Sequence, residues 1–182
     1  MYYMIQKSSM ATTLTLFYDN PTTKFSLASI SQKTKLAHTS TKNNLINLIK
    51  KNIITKIIEK KGKRNFPEYI ANRNEKLFIL TKKVQNLNNL LNSGLISHIE
   101  EQIFPKSIVL FGSYSRGEDI ETSDIDIYIE APKTELNLKP FEKKLTRKIE
   151  LHFQPNFKEY PNELKNNIIN GSILQGYLEA FP

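Results

Sequence analysis

Asp124 and Asp126 are separated by one residue, and the pair Gly112-Ser113 precedes them with ten residues between. Alternate side chains on a strand share a face, so the two carboxylates are expected on one side of a strand whose other side carries Ile125, Ile127 and Ile129. Carboxylates held together repel one another unless a cation lies between them, and hard oxygen ligands suit Mg²⁺ or Mn²⁺. A glycine nearby lets a phosphate approach the backbone. The chemistry expected is metal-dependent work on a phosphate. A plainer reading of the same residues is a hairpin whose exposed face happens to carry acids.

The elements that must hold these groups follow from pattern. A buried strand is expected from Ile108 to Phe111, then the Gly-Ser turn, a polar loop, and the acidic strand, which Ala131-Pro132 ends. In the loop, Glu118, Asp119 and Glu121 read as solvated, and Tyr128 could stack on a base or simply shield its strand. A helix is expected over 139–146 with Pro140 in its first turn. Residues 147–154 then alternate, with Ile149, Leu151 and Phe153 on one face and Glu150, His152 and Gln154 on the other. His152 could contact phosphate or assist proton transfer, or be merely polar. A helix over 162–169, a break at Gly171-Ser172, and the apolar Ile173, Leu174, Tyr177 and Leu178 read as the closing edge of the domain.

The spacing of Gly112-Ser113 and Asp124-Ile125-Asp126, with Arg116-Gly117 in the loop, resembles the signature of the DNA polymerase beta-like nucleotidyltransferases, especially their minimal members. The resemblance implies a third carboxylate on a neighbouring strand, and Glu150 is the matching position where aspartate is more usual. It implies that Asp124, Asp126 and Glu150 are catalytic metal ligands. By the same resemblance Gly112, Ser113 and Arg116 hold the phosphates of a nucleoside triphosphate, with ATP expected. The reaction implied is in-line displacement at the α-phosphate, the acceptor hydroxyl being presented by a partner or a second subunit.

Charge divides the chain of 182 residues. Residues 1–104 hold 16 Lys and Arg against 6 Asp and Glu, and residues 105–182 hold 10 against 12, which together give the net charge of +8. A basic half beside a slightly acidic one suggests a polyanion-binding module joined to a metal-binding one. Cysteine is absent, which excludes disulfides and thiolate metal sites. No apolar run nears the roughly 18 residues that would cross a bilayer, so a soluble, cytoplasmic protein without membrane association is expected.

In the basic half, a helix is expected over 8–19, stopped by Asn20-Pro21, and a second that Ser26 caps. Thr39 or Ser40 can cap a third running to Lys51, with Leu45, Leu48 and Ile49 inward and Asn52 as a left-handed C-cap. A hairpin follows, 53–59 and 66–71 around the basic turn 60–64, with Pro67 making its second strand an edge strand at best. This order resembles a winged helix-turn-helix domain. The resemblance implies that His38, Thr39, Ser40, Lys42 and Asn43 face DNA and that Lys60, Lys61, Lys63 and Arg64 meet phosphates. Such domains also dock on proteins. Two helices, 74–92 and 95–103, come next; Leu77, Leu80, Val84, Leu87 and Leu91 make an apolar stripe that could join the halves or form a homodimer surface.

The fold class expected is α+β: a winged helix-turn-helix domain at 1–73, linker helices at 74–104, and at 105–182 a minimal nucleotidyltransferase domain with a mixed sheet flanked by helices. The function expected is transfer of a nucleoside monophosphate, AMP, to a protein or RNA hydroxyl by a DNA-binding protein of antitoxin type. The alternative is a DNA-binding transcription regulator whose transferase-like domain is inactive and senses a nucleotide or binds a partner.

Overall fold

The structure, a computed structural model, describes residues 8–61 and 64–179. The chain divides into two compact units, Met1–Ile79 and Leu80–Pro182.

The first unit begins with α1, Ser9–Asp19, capped by Ser8, whose Oγ accepts from the Ala11 amide at 3.1 Å. The short strand β1, Phe25–Ser26, runs directly into α2, Leu27–Thr34, which the Ser26 hydroxyl caps through Ser29 N. The third helix, α3, spans His38–Lys50 and starts earlier than its hydroxyl residues suggest: Ala37 takes the cap position without a side-chain bond. Thr39 and Ser40 therefore lie inside the first turn, not at the cap. A buried Ser31–Thr41 hydroxyl bond of 3.1 Å and the Leu36 amide on Ser31 O fix the turn that sets this start. Asn52 takes the expected left-handed conformation at φ 56°.

Strands β2, Ile54–Lys61, and β3, Arg64–Ala71, pair antiparallel, and β1 joins the other side of β3. So β3 is central, not an edge. Proline is tolerated because β1 reaches only Glu68 and Tyr69, leaving Pro67 just past its end. Leu45 and Leu48 are buried with Phe17, Tyr18, Phe25 and Ile30, and Ile49 packs half-buried against them.

The helix α4, Lys76–Ser93, continues into the second unit. There follow α5, Leu95–Ile103; β4, Ser107–Phe111; α6, Gly112–Arg116; β5, Ile125–Ile129; α7, Lys139–Leu145; β6, Ile149–Phe153; α8, Asn162–Ile169; and β7, Ser172–Gly176. The sheet order is β6-β5-β4-β7, with β4 antiparallel to both neighbours and β5 parallel to β6. The sheet is therefore mixed, and the unit is α+β. Alternation gives its faces different tasks. Ile108, Leu110, Ile125, Ile127, Ile129 and Ile149 pack with Leu90, Leu95, Ile96 and Ile99 of α4 and α5. On the other face Val109, Phe111 and Tyr128 pack with Phe157 and Ile168. Tyr128 is fully buried there, its hydroxyl donating to Gln154 O at 3.2 Å, so it shields the strand and offers no ring for stacking.

One expectation is overturned in this unit, and the face of α4 that is buried is now defined. The stripe on α4 faces outward, with Leu80, Val84 and Leu91 exposed, while Lys82, Asn86 and Leu90 are buried at four-residue intervals. Asp119 is buried rather than solvated, because Lys82 and Asn86 of that turned-in face hold its carboxylate. Among the described residues no helix is long and apolar enough to cross a membrane.

Candidate active site

β4 delivers the chain to Gly112 at φ 75°, a left-handed position that suits glycine. Space as well as conformation demands it. A Cβ there would lie 2.3 Å from Asp126 Oδ2, so the carboxylate rests directly on the glycine backbone. Ser113, half-buried, follows in the first turn of α6. Arg116 is half-exposed and its Nε donates to Glu118 Oε2 at 2.7 Å.

On the sheet, Asp126 lies between Phe111 of β4 and Glu150 of β6 in register. His152 lies two residues beyond Glu150 on the same face, its ring edge-on to Phe111 at 5.0 Å between centroids. Its Nε2 is 3.3 Å from Asp126 Oδ1 and 4.0 Å from Glu150 Oε2. One ligand atom from each of Asp126, Glu150 and His152 falls within a 4.8 Å cluster. Two carboxylates and an imidazole at this spacing, with the near carboxylate backed by bare glycine, fit a divalent cation.

Asp124 stands apart from that cluster, one residue before β5 begins. It is half-buried and lines a cavity of about 560 Å³ at the start of β5 and β6, with Glu121, Thr122, Ser123, Glu142, Thr146, Arg147 and Lys148. The sequence placed His152 on the Glu150 face by alternation, but the distance to Asp126 depends on parallel pairing of strands 24 residues apart at their starts.

In the first unit, His38, Thr39, Lys42 and Asn43 are exposed along the start of α3 and Ser40 is half-buried. Lys60 and Arg64 are exposed near the hairpin turn. Lys63 lies outside the described residues, as does the side chain of Lys61.

Residues 95–174 match the family model described as a nucleotidyltransferase domain. Over these residues, fewer than half of its length, the chain is thus similar to a nucleotidyltransferase domain. A Methanocaldococcus jannaschii protein named "Putative protein adenylyltransferase" is 54% identical over 44 residues, which are 24% of this chain and 51% of that protein. The chain spans about half the length of this curated relative. A solved structure titled "Possible transcriptional regulator", from Methanosarcina mazei Go1, aligns over 52% of this chain and 78% of its own at 16% identity and a TM-score of 0.37. A likeness that slight carries no argument about fold or function.

Proposed function

We propose that the second unit transfers AMP from ATP to a hydroxyl on a protein or an RNA. The observation that carries this reading is the convergence of Asp126, Glu150 and His152 beside Gly112. The name of the Methanocaldococcus relative supports adenylylation of a protein. In the reaction, the acceptor oxygen forms a bond to the α-phosphorus while the bond to the pyrophosphate oxygen breaks. Pyrophosphate leaves, and the hydroxyl proton passes to solvent or a nearby base.

A bound Mg²⁺ or Mn²⁺ would supply charge neutralisation for the α-phosphate and the leaving group. Asp126 and Glu150 would hold it, with Asp124 contributing from the strand entrance. His152, with a proton on Nε2, donates to Asp126 Oδ1 and keeps that carboxylate aimed; the opposite tautomer leaves Nε2 able to ligate. Gly112 and Ser113 offer backbone amide and hydroxyl donors to the β- and γ-phosphates, and Arg116 adds positive charge.

The first unit is read as a winged helix-turn-helix module that docks on DNA. Its order of helix, strand, two helices and hairpin supports this, as do the exposed polar start of α3 and the basic hairpin. An antitoxin-like protein that modifies a partner while bound to DNA is consistent with both halves.

The test is incubation of the protein with each α-labelled nucleoside triphosphate, Mg²⁺ or Mn²⁺, and a cell lysate, followed by identification of what becomes labelled. Label from ATP on one protein or RNA, lost in Asp124→Asn/Asp126→Asn, is expected. Equal labelling by the double variant ends the catalytic reading. Nucleotide binding with no transfer under any condition would favour an inactive sensor domain in a transcription regulator.

A further inference from the structure

The helix α4 is turned against its own apolar pattern. Leu80, Val84 and Leu91 are 50, 68 and 54% exposed, while Lys82 and Asn86 are buried at 0 and 5%. Burying a lysine where leucine was available is unfavourable unless its charge is paired and its hydrogen bonds are satisfied. Both side chains converge on Asp119. Lys82 Nζ forms an ion pair with the Asp119 carboxylate and donates to the Asp119 carbonyl at 2.5 Å. Asn86 Nδ2 donates to Asp119 Oδ1 at 2.7 Å and to Tyr114 O at 2.9 Å, and the Tyr114 hydroxyl returns to Asn86 O at 3.4 Å. On the far side, Arg147 Nη2 lies 3.9 Å from Asp119 Oδ2.

These contacts join three segments that carry the site. Tyr114 follows Gly112-Ser113 in α6, Asp119 lies in the loop leading to Asp124 and Asp126, and Arg147 precedes Glu150 by three residues. An apolar plug could fill the same volume at no greater cost, but it would not fix direction. Charge-assisted hydrogen bonds do, because each has a set length and angle. We infer that Asp119, gripped by Lys82 and Asn86, is a positioning residue that sets the separation of the Gly112-Ser113 phosphate side from the Asp126–Glu150 carboxylates. It touches no substrate. The inference rests on the transferase reading above and adds the device that keeps its two sides in register.

The test uses the full chain with Lys82→Met and Asp119→Asn together. Methionine replaces the lysine stem, asparagine keeps an acceptor for Asn86, and the Lys82–Asp119 charges are removed as a pair, so the variant is expected to fold even where Asp119→Ala alone does not. Steady-state transfer and hydrogen exchange resolved over residues 112–124 are measured beside wild type. We expect cooperative melting, a nucleotide KM within about threefold, a kcat lowered about 100-fold, the size a displacement of about 1 Å produces, and exchange over 112–124 faster by an order of magnitude or more. A folded variant whose kcat stays within threefold overturns the inference, since a merely structural brace would lower melting temperature and spare kcat. If wild type transfers nothing, the transferase reading fails by itself, and exchange decides: unchanged rates over 112–124 overturn the positioning role, and faster rates confined to that segment uphold it.

Discussion

Replacing Gly112 with alanine separates a backbone effect from a site effect. The residue sits at φ 75°, where a side chain costs roughly 1–2 kcal/mol. Its new Cβ would also stand 2.3 Å from Asp126 Oδ2. An ordinary carbon–oxygen contact is about 3.3 Å, so the carboxylate must retreat by about 1 Å. In the role proposed for Asp126, that displacement corresponds to a rate loss on the order of 100-fold, or about 2.7 kcal/mol of barrier. Gly94 provides the control, because its φ is 86° yet nothing lies within 4 Å of a Cβ built there. Both variants should melt lower, by about 4–8 °C for each kcal/mol of strain in a unit of this size. Only Gly112→Ala should lose transfer of labelled α-phosphate. Wild-type rates in Gly112→Ala, or an equal loss in Gly94→Ala, would show that the glycine does not set the position of Asp126.

Three further outcomes follow from particular contacts. His152→Ala should raise the Mn²⁺ concentration needed for half-maximal transfer by roughly 10- to 100-fold, as read from a metal titration; an unshifted titration would make the histidine merely polar. Lys60→Glu with Arg64→Glu should weaken binding to duplex DNA and flatten the slope of log K against log salt by about 2, and an unchanged curve would point to a protein-docking role for the hairpin. Burial, reinforced by Glu130 and then Tyr160, pushes the Tyr128 phenol well above its ordinary value. The folded state therefore keeps that proton after the unfolded chain loses it near pH 10, and stability contributed below that pH is lost as pH rises further. In denaturant titrations at pH 9 and 11, Tyr128→Phe should decline less than wild type, and parallel declines would remove Tyr128 as a cause.

How much of this was legible in the chain depended on sequence distance. Ser26 announced its helix because a cap bond spans only three residues. Thr39 and Ser40 misled because the start of α3 is set by the buried Ser31–Thr41 bond, ten residues apart. Pro67 argued correctly against a second ladder at its own position, but local propensity could not reveal that β1 stops one residue short of it.

The candidate site divides the same way. Sequence alone determined the glycine before the polar loop, the two aspartates one residue apart, and the face shared by Glu150 and His152, since these follow from chain conformation and strand alternation. Tertiary structure decided which of them meet. Parallel pairing of β5 with β6 put Asp126 opposite Glu150 and brought His152 to 3.3 Å, while Asp124, ahead of the strand, lines the neighbouring cavity. It also decided the face of α4. The leucine stripe at three- and four-residue spacing is a sound helix signal, but periodicity does not identify the partner. Here the buried face is the one whose Lys82 and Asn86 complete the hydrogen bonds of a carboxylate 33 residues from Asn86, a match that exists only once the chain has folded.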